Sequence, residues 1–208
     1  MKIKANQYVK SHFPASHGGL YSINNPSPEI IDFSSNVNPL GCHPGVKKFI
    51  KKQLKFISQY PDSNSSNLRL NLKWYTGLNE SQIIVGNGAT EIIYNFTKAF
   101  LNENTKVLIP IPTFSEYEKA AKLSGSKLLF YKTMNLNNDL EEFIKKIPLA
   151  IYPRATNPVI DVEKKLKKNA KKIDAEHSKD LINTETPCFT FINGPMNDIS
   201  STRIRREM

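Results

Sequence analysis

The stretch IIVGNGATEII (83–93) constrains this chain more than any other. An apolar run ends in two glycines and passes through Ala89 and Thr90 into ATEIIYNFTKAFL (89–101), whose apolar residues recur at helical spacing. Glycine permits a tight reversal and lets a ligand approach the bare backbone. A helix that starts there presents N–H groups without intrahelical acceptors at the positive end of its dipole, a place for an anion. The spacing GxGxT is neither the GxGxxG dinucleotide fingerprint nor a phosphate loop closed by GK[ST]. Two readings therefore stand: a phosphate held at 88–90 with the Thr90 hydroxyl as an added donor, or a plain strand-to-helix turn.

Around this turn the pattern alternates. The sequence predicts strands at 81–88, 105–112 and 126–133, and helices at 89–101, 113–125 and 135–147. Such alternation signals an α/β sheet with crossovers over its faces. Before it, residues 1–28 read as an arm with one short helix, IIDFSS (30–35) as a strand, and 46–60 and 67–77 as helices, the second closed by Gly77 as a C-cap. After it, a strand is expected from Leu149, a lysine-rich helix at 161–172, a strand at 189–192 and a helix start in DISSTRIRREM (198–208).

The formal net charge of +10 favours anionic partners, phosphorylated small molecules among them. The lysine runs at 47–55 and 163–172 have helical spacing and read as solvated faces, and no aromatic-basic or zinc-finger pattern points to nucleic acid. Two distant cysteines, Cys42 and Cys188, make neither a disulfide framework nor a metal cluster and suit a reducing compartment. No segment approaches the roughly 18 consecutive apolar residues of a membrane helix, and the first residues lack a signal-peptide core. A soluble, cytoplasmic protein without a membrane partner is the expectation.

Four motifs in order, DFSSNVNPLG (32–41), YPDSNSSNLR (60–69), VGNGATEIIY (85–94) and IPTFSEYEKAAKLSG (111–125), resemble the front half of pyridoxal-phosphate enzymes of the aminotransferase class I/II fold. The nearest members are threonine-phosphate decarboxylase of cobalamin synthesis, favoured by the HGG at 17–19, and histidinol-phosphate aminotransferase. The resemblance covers about residues 10–147. It implies that Gly88, Ala89 and Thr90 hold the cofactor phosphate and that Phe114 stacks on the pyridine ring. It also implies that Tyr60 reaches the cofactor phosphate of a second subunit in a homodimer, and that Asn36, Asn38 and His17 lie on the substrate side. The family's Schiff-base lysine, its pyridine-nitrogen aspartate and its carboxylate-binding arginine have no match here. Lys179 in HSKD lacks the expected glycine-rich continuation and reads as a surface lysine, and Thr156-Asn157-Pro158 echoes the family's Asn-Pro turn only poorly.

The end of the chain has a different resemblance. LAIYPR (149–154) and DISSTRIR (198–205) look like the C-terminal part of a nicotinate-nucleotide adenylyltransferase. This implies nucleotide phosphates, possible ATP among them, at Ser200, Ser201, Thr202 and Arg205, with Arg203 nearby. That family's HxGH motif does not occur. The expected fold is α/β: a partial aminotransferase-like, fold type I three-layer sandwich over 1–147 and a nucleotidyltransferase-like α/β fragment over 148–208. The expected function is that of a truncated, catalytically impaired threonine-phosphate decarboxylase-like protein. An adenylyltransferase remnant and a noncatalytic phosphate- or nucleotide-binding protein are the alternatives.

Overall fold

The structure is a computed structural model and describes residues 6–15, 17–25, 27–34, 37–38, 40–136, 139–152, 159–192 and 194. Seven α-helices occur among them. These are α1 (Gln7–Lys10), α2 (Pro44–Gln53), α3 (Ser66–Thr76), α4 (Ala89–Phe100), α5 (Glu116–Leu123), α6 (Leu140–Phe143) and α7 (Val159–Lys167). The strands are β1 (Lys106–Ile111), β2 (Lys127–Lys132), β3 (Leu149–Ile151), β4 (Lys171–Ile173) and β5 (Cys188–Phe191).

Local chemistry accounts for the start of α2 and the end of α3. His43 caps α2 by accepting from the Gly45 N–H through Nδ1 at 3.0 Å, and Pro44 opens the helix where its missing N–H costs nothing. Gly77 stops α3 at φ +73°, its N–H donating to the Lys73 carbonyl at 2.8 Å. Arg69 and Lys73 on α3 then hold Glu80 of the following 3-10 turn, Arg69 through the Glu80 carbonyl and Lys73 through the carboxylate at 3.3 Å.

Two predicted strands are absent among the described residues. Residues 30–34 and 83–86 carry no strand, and their apolar side chains stand out of the core: Ile31, Phe33 and Ile84 are exposed. An apolar run becomes a strand only where another backbone pairs with it, and neither run has such a partner among the described residues. The alternation is realised one step later. Lys127 N–H donates to the Thr105 carbonyl at 2.9 Å and Thr133 N–H to the Ile111 carbonyl at 3.0 Å. The constant offset between these bonds is that of strands running the same way, so β1–α5–β2 is a βαβ unit. Pro110 has no N–H for a ladder, and a strand paired on one side tolerates it.

The chain divides into two compact units. The first comprises Met1–Ser66, Val85–Val107 and Phe114–Leu128. In it α5 turns Ala120 and Ala121, both fully buried, toward its neighbours α4 and α1. Side chains this small let helices approach closely. Ser126, also buried, satisfies its hydroxyl with Thr105 Oγ1 at 2.7 Å and the Asn102 carbonyl at 3.0 Å.

The second unit comprises Asn67–Ile84, Leu108–Thr113 and Leu129–Met208. Its three-stranded sheet is parallel, with β5 between β3 and β4. Successive side chains on a strand point to opposite faces. Phe189 therefore meets Leu140, Ile144 and Leu166 on one face, while Cys188 meets Ile173 and Leu181 on the other. Helices α6 and α7 cover the first face and the 3-10 stretch Ala175–Asn183 the second, a small three-layer arrangement. Cys188, Phe189 and Thr190 are wholly buried, as a central strand covered on both faces requires. The core draws on residues either side of 147. The lysine-rich segment, expected to be one helix, stops at Lys167 and supplies β4 from Lys171, because β5 offers that backbone a partner.

Candidate functional site in the first unit

Gly88 precedes α4 at φ +88° and ψ 172°, a conformation that only glycine adopts without strain, and the space beside its Cα is empty to 4 Å. Its N–H donates to the Gly86 carbonyl at 2.8 Å, and the Asn87 N–H donates to Glu91 Oε2 at 2.5 Å. The turn thus uses its own donors at 87 and 88. No side chain caps the helix that follows. The first N–H groups of α4 lack intrahelical acceptors and sit at the positive end of the dipole, and Ala89 and Thr90 are exposed beside them. This backbone fits a phosphate group.

Phe114 lies just ahead of α5 and is 44% exposed. Tyr117 meets it edge-on at 5.9 Å between ring centres, and His17 lies 6.1 Å away at a 48° tilt. A partly exposed aromatic braced from two sides fits a flat ring laid against it.

Glu116 occupies the middle of this arrangement, and sequence reasoning missed it. Only 4% of the residue is exposed. Oε1 lies 2.6 Å from His17 Nε2, and Oε2 accepts from the Tyr94 hydroxyl at 2.8 Å. Burial first, and then the hydrogen bond and negative charge of Glu116, push the Tyr94 hydroxyl up to about 12. A glutamate in the first turn of a helix ordinarily reads as a partner for the helix dipole, so its burial was invisible until α4 and the arm were in place.

Asn38 spends its side chain locally, donating to the Gly41 carbonyl at 3.1 Å and accepting from the Leu40 N–H at 3.0 Å. Tyr60 is fully exposed. Lys179 is exposed in the 3-10 stretch of the second unit. Asn36, Thr156, Asn157, Pro158, Ser200, Ser201, Thr202, Arg203 and Arg205 lie outside the described residues. No group of acidic, histidine and cysteine side chains suited to a metal occurs among the described residues, and no helix there is long and apolar enough to cross a membrane.

Residues 28–160 match the family model for aminotransferase class I and II. The chain belongs to the aminotransferase class I and II family. Histidinol-phosphate aminotransferase of Geobacillus sp. (strain WCH70) is 36% identical over 119 residues, covering 57% of this chain and 33% of that protein. The enzyme of the same name from Pelagibacter ubique (strain HTCC1062) is 33% identical over 153 residues, covering 67% of this chain and 42% of that protein. This family member thus spans less than half the length of either relative. The crystal structure of histidinol-phosphate aminotransferase from Sinorhizobium meliloti, in complex with pyridoxal-5'-phosphate, superposes with a TM-score of 0.51 at 14% identity. It covers 67% of this chain and 42% of that one and shows a common fold, that of the fold type I aminotransferases. The resemblance in the front part of the sequence is therefore correct at the level of the family. The relatives named here are aminotransferases; none of them is a decarboxylase or an adenylyltransferase.

Proposed function

We propose that this chain supplies the phosphate-binding and ring-stacking part of a pyridoxal-phosphate site for a phosphorylated amine substrate. The observation that carries the reading is the uncapped start of α4 behind Gly88, tied through Tyr94 and Glu116 to the half-exposed Phe114. The N–H groups at 89–91 and the Thr90 hydroxyl hold the phosphate, and Phe114 supplies the face for the ring. When bound, pyridoxal phosphate supplies an electron sink for bonds broken next to the substrate nitrogen. The relatives' name supports histidinol phosphate as the substrate. The HGG motif at 17–19, which resembles that of threonine-phosphate decarboxylase, supports the alternative of threonine phosphate. Tyr60 completes a partner's phosphate site in the homodimer this reading implies.

The contact proposed for these residues is noncovalent, through the cofactor's phosphate and ring. Equilibrium dialysis with pyridoxal phosphate tests it, followed by borohydride reduction and assays with histidinol phosphate plus a keto acid and with threonine phosphate. Saturable binding without a reducible adduct is expected. A reducible adduct would overturn the noncovalent reading, and no binding would overturn the cofactor site. The DISSTRIR motif supports a separate reading, a nucleotide-phosphate site in a 148–208 fragment derived from an adenylyltransferase. ATP retention that Arg205→Ala abolishes is its expected signature, and ATP binding unchanged in that variant would remove it.

A further inference from the structure

We infer that Glu116 is a positioning residue, which fastens the arm at His17 and helix α4 at Tyr94 so that Phe114 is held in place for the ring it stacks on; the part concerning the ring rests on the cofactor reading above. Three segments far apart in the chain meet at one carboxylate: the arm, α4 and the first turn of α5. Both oxygens are engaged, at 2.6 Å and 2.8 Å, and the carboxylate's surroundings are almost closed to water. A buried carboxylate that loses a partner is left with an unmet acceptor, so each contact enforces the other. The arm has a second point of attachment: the Gly19 N–H donates to Ser34 Oγ at 2.6 Å, with Gly19 at φ +111°. His17 is consequently held from both sides while its ring leans toward Phe114.

This is a role for Glu116 through other residues, since Phe114 is the group that touches the ring. A brace that merely adds stability would lower the melting temperature and leave the affinity of the folded protein unchanged. A positioning residue alters the affinity itself.

The experiment measures pyridoxal-phosphate affinity by dialysis, and amide hydrogen exchange at Gly18–Leu20, in the full chain and its Glu116→Ala, Glu116→Gln and His17→Ala variants. Glu116→Ala is expected to bind about tenfold more weakly, the scale of one hydrogen bond to a charged group, and to exchange faster at Gly18–Leu20. Glu116→Gln keeps the shape, accepts from Tyr94 and donates to His17, so it should restore affinity to within about threefold. His17→Ala combined with Glu116→Ala should be no weaker than Glu116→Ala alone. Unchanged affinity in folded Glu116→Ala, additive losses in the double variant, or unaltered exchange would each overturn the inference. Should Glu116→Ala not fold, Tyr94→Phe and His17→Ala remove one anchor each, and unchanged affinity and exchange in both would overturn it equally. If the unmodified chain binds no pyridoxal phosphate, the cofactor reading and the ring-holding role fall, and the exchange measurement alone decides whether Glu116 fastens the arm.

Discussion

The Tyr94 hydroxyl, pushed up to about 12, gives the candidate site a measurable titration. In Glu116→Gln the hydrogen-bond and charge contributions of the carboxylate weaken while burial stays. An ultraviolet titration should therefore show Tyr94 returning only part of the way toward 10, and a complete return would show that burial is not the leading cause. The linked stability has a definite sign. A pKa raised by folding stabilises fully below the unfolded phenol's value of about 10 and is lost as pH rises through the folded value. Gly88 offers a second test of single-residue chemistry. Open space surrounds its Cα, so a methyl group meets no clash, but φ +88° with ψ 172° strains any L side chain. Gly88→Ala should cost about 1–3 kcal/mol in thermal or denaturant unfolding. A cost near zero would mean that the turn relaxes to another conformation.

Helix α7 and strand β4 are joined by Glu163, whose Oε1 lies 2.7 Å from Lys167 Nζ and 2.8 Å from Lys172 Nζ. The hydrogen bond from Lys167, and next that from Lys172, hold this carboxyl below the usual carboxylate range. A depressed pKa stabilises the fold above the unfolded carboxylate's value and is lost as pH falls through the lower folded value. The effect is small, as it is for ion pairs open to solvent. Glu163→Gln should remove that part of the acid-induced fall in melting temperature below about pH 4.3, the ordinary glutamate value. An acid limb identical to that of the unaltered chain would show that the bridge to β4 does not persist in solution. The same contact helps explain why the lysine-rich segment is split. Lys172, on the expected helix, instead lies in β4 and reaches back to α7.

On the scale of the whole molecule, Phe189 is the largest fully buried side chain among the described residues and joins β5 to α6 and α7. Phe189→Ala should cost about 3–5 kcal/mol in urea unfolding, through lost burial and the cavity left behind. A loss below about 1 kcal/mol would mean that the second unit's core is not packed as described. Trp74, the chain's only tryptophan, is 80% exposed on α3. Its fluorescence should peak where solvated indole emits, and a blue-shifted maximum would show that face covered in solution. Helices α2, α3 and α4 and the turns at Gly77 and Gly88 follow from short-range rules: apolar spacing, a capping histidine, a proline at the first position and glycines with positive φ. The ordered motifs around 32–125 likewise sufficed for the family, because they are local signatures. Strand pairing is another matter, since a strand exists only with a partner from elsewhere in the chain. Ile30–Ser34 and Ile83–Gly86 have the right residues and no ladder among the described residues, whereas Lys171–Ile173, inside a run of lysines, has one because β5 lies beside it. Glu116 belongs with these cases: an ordinary first-turn acid by composition, it became a buried junction only when the arm and α4 closed over it from distant parts of the chain.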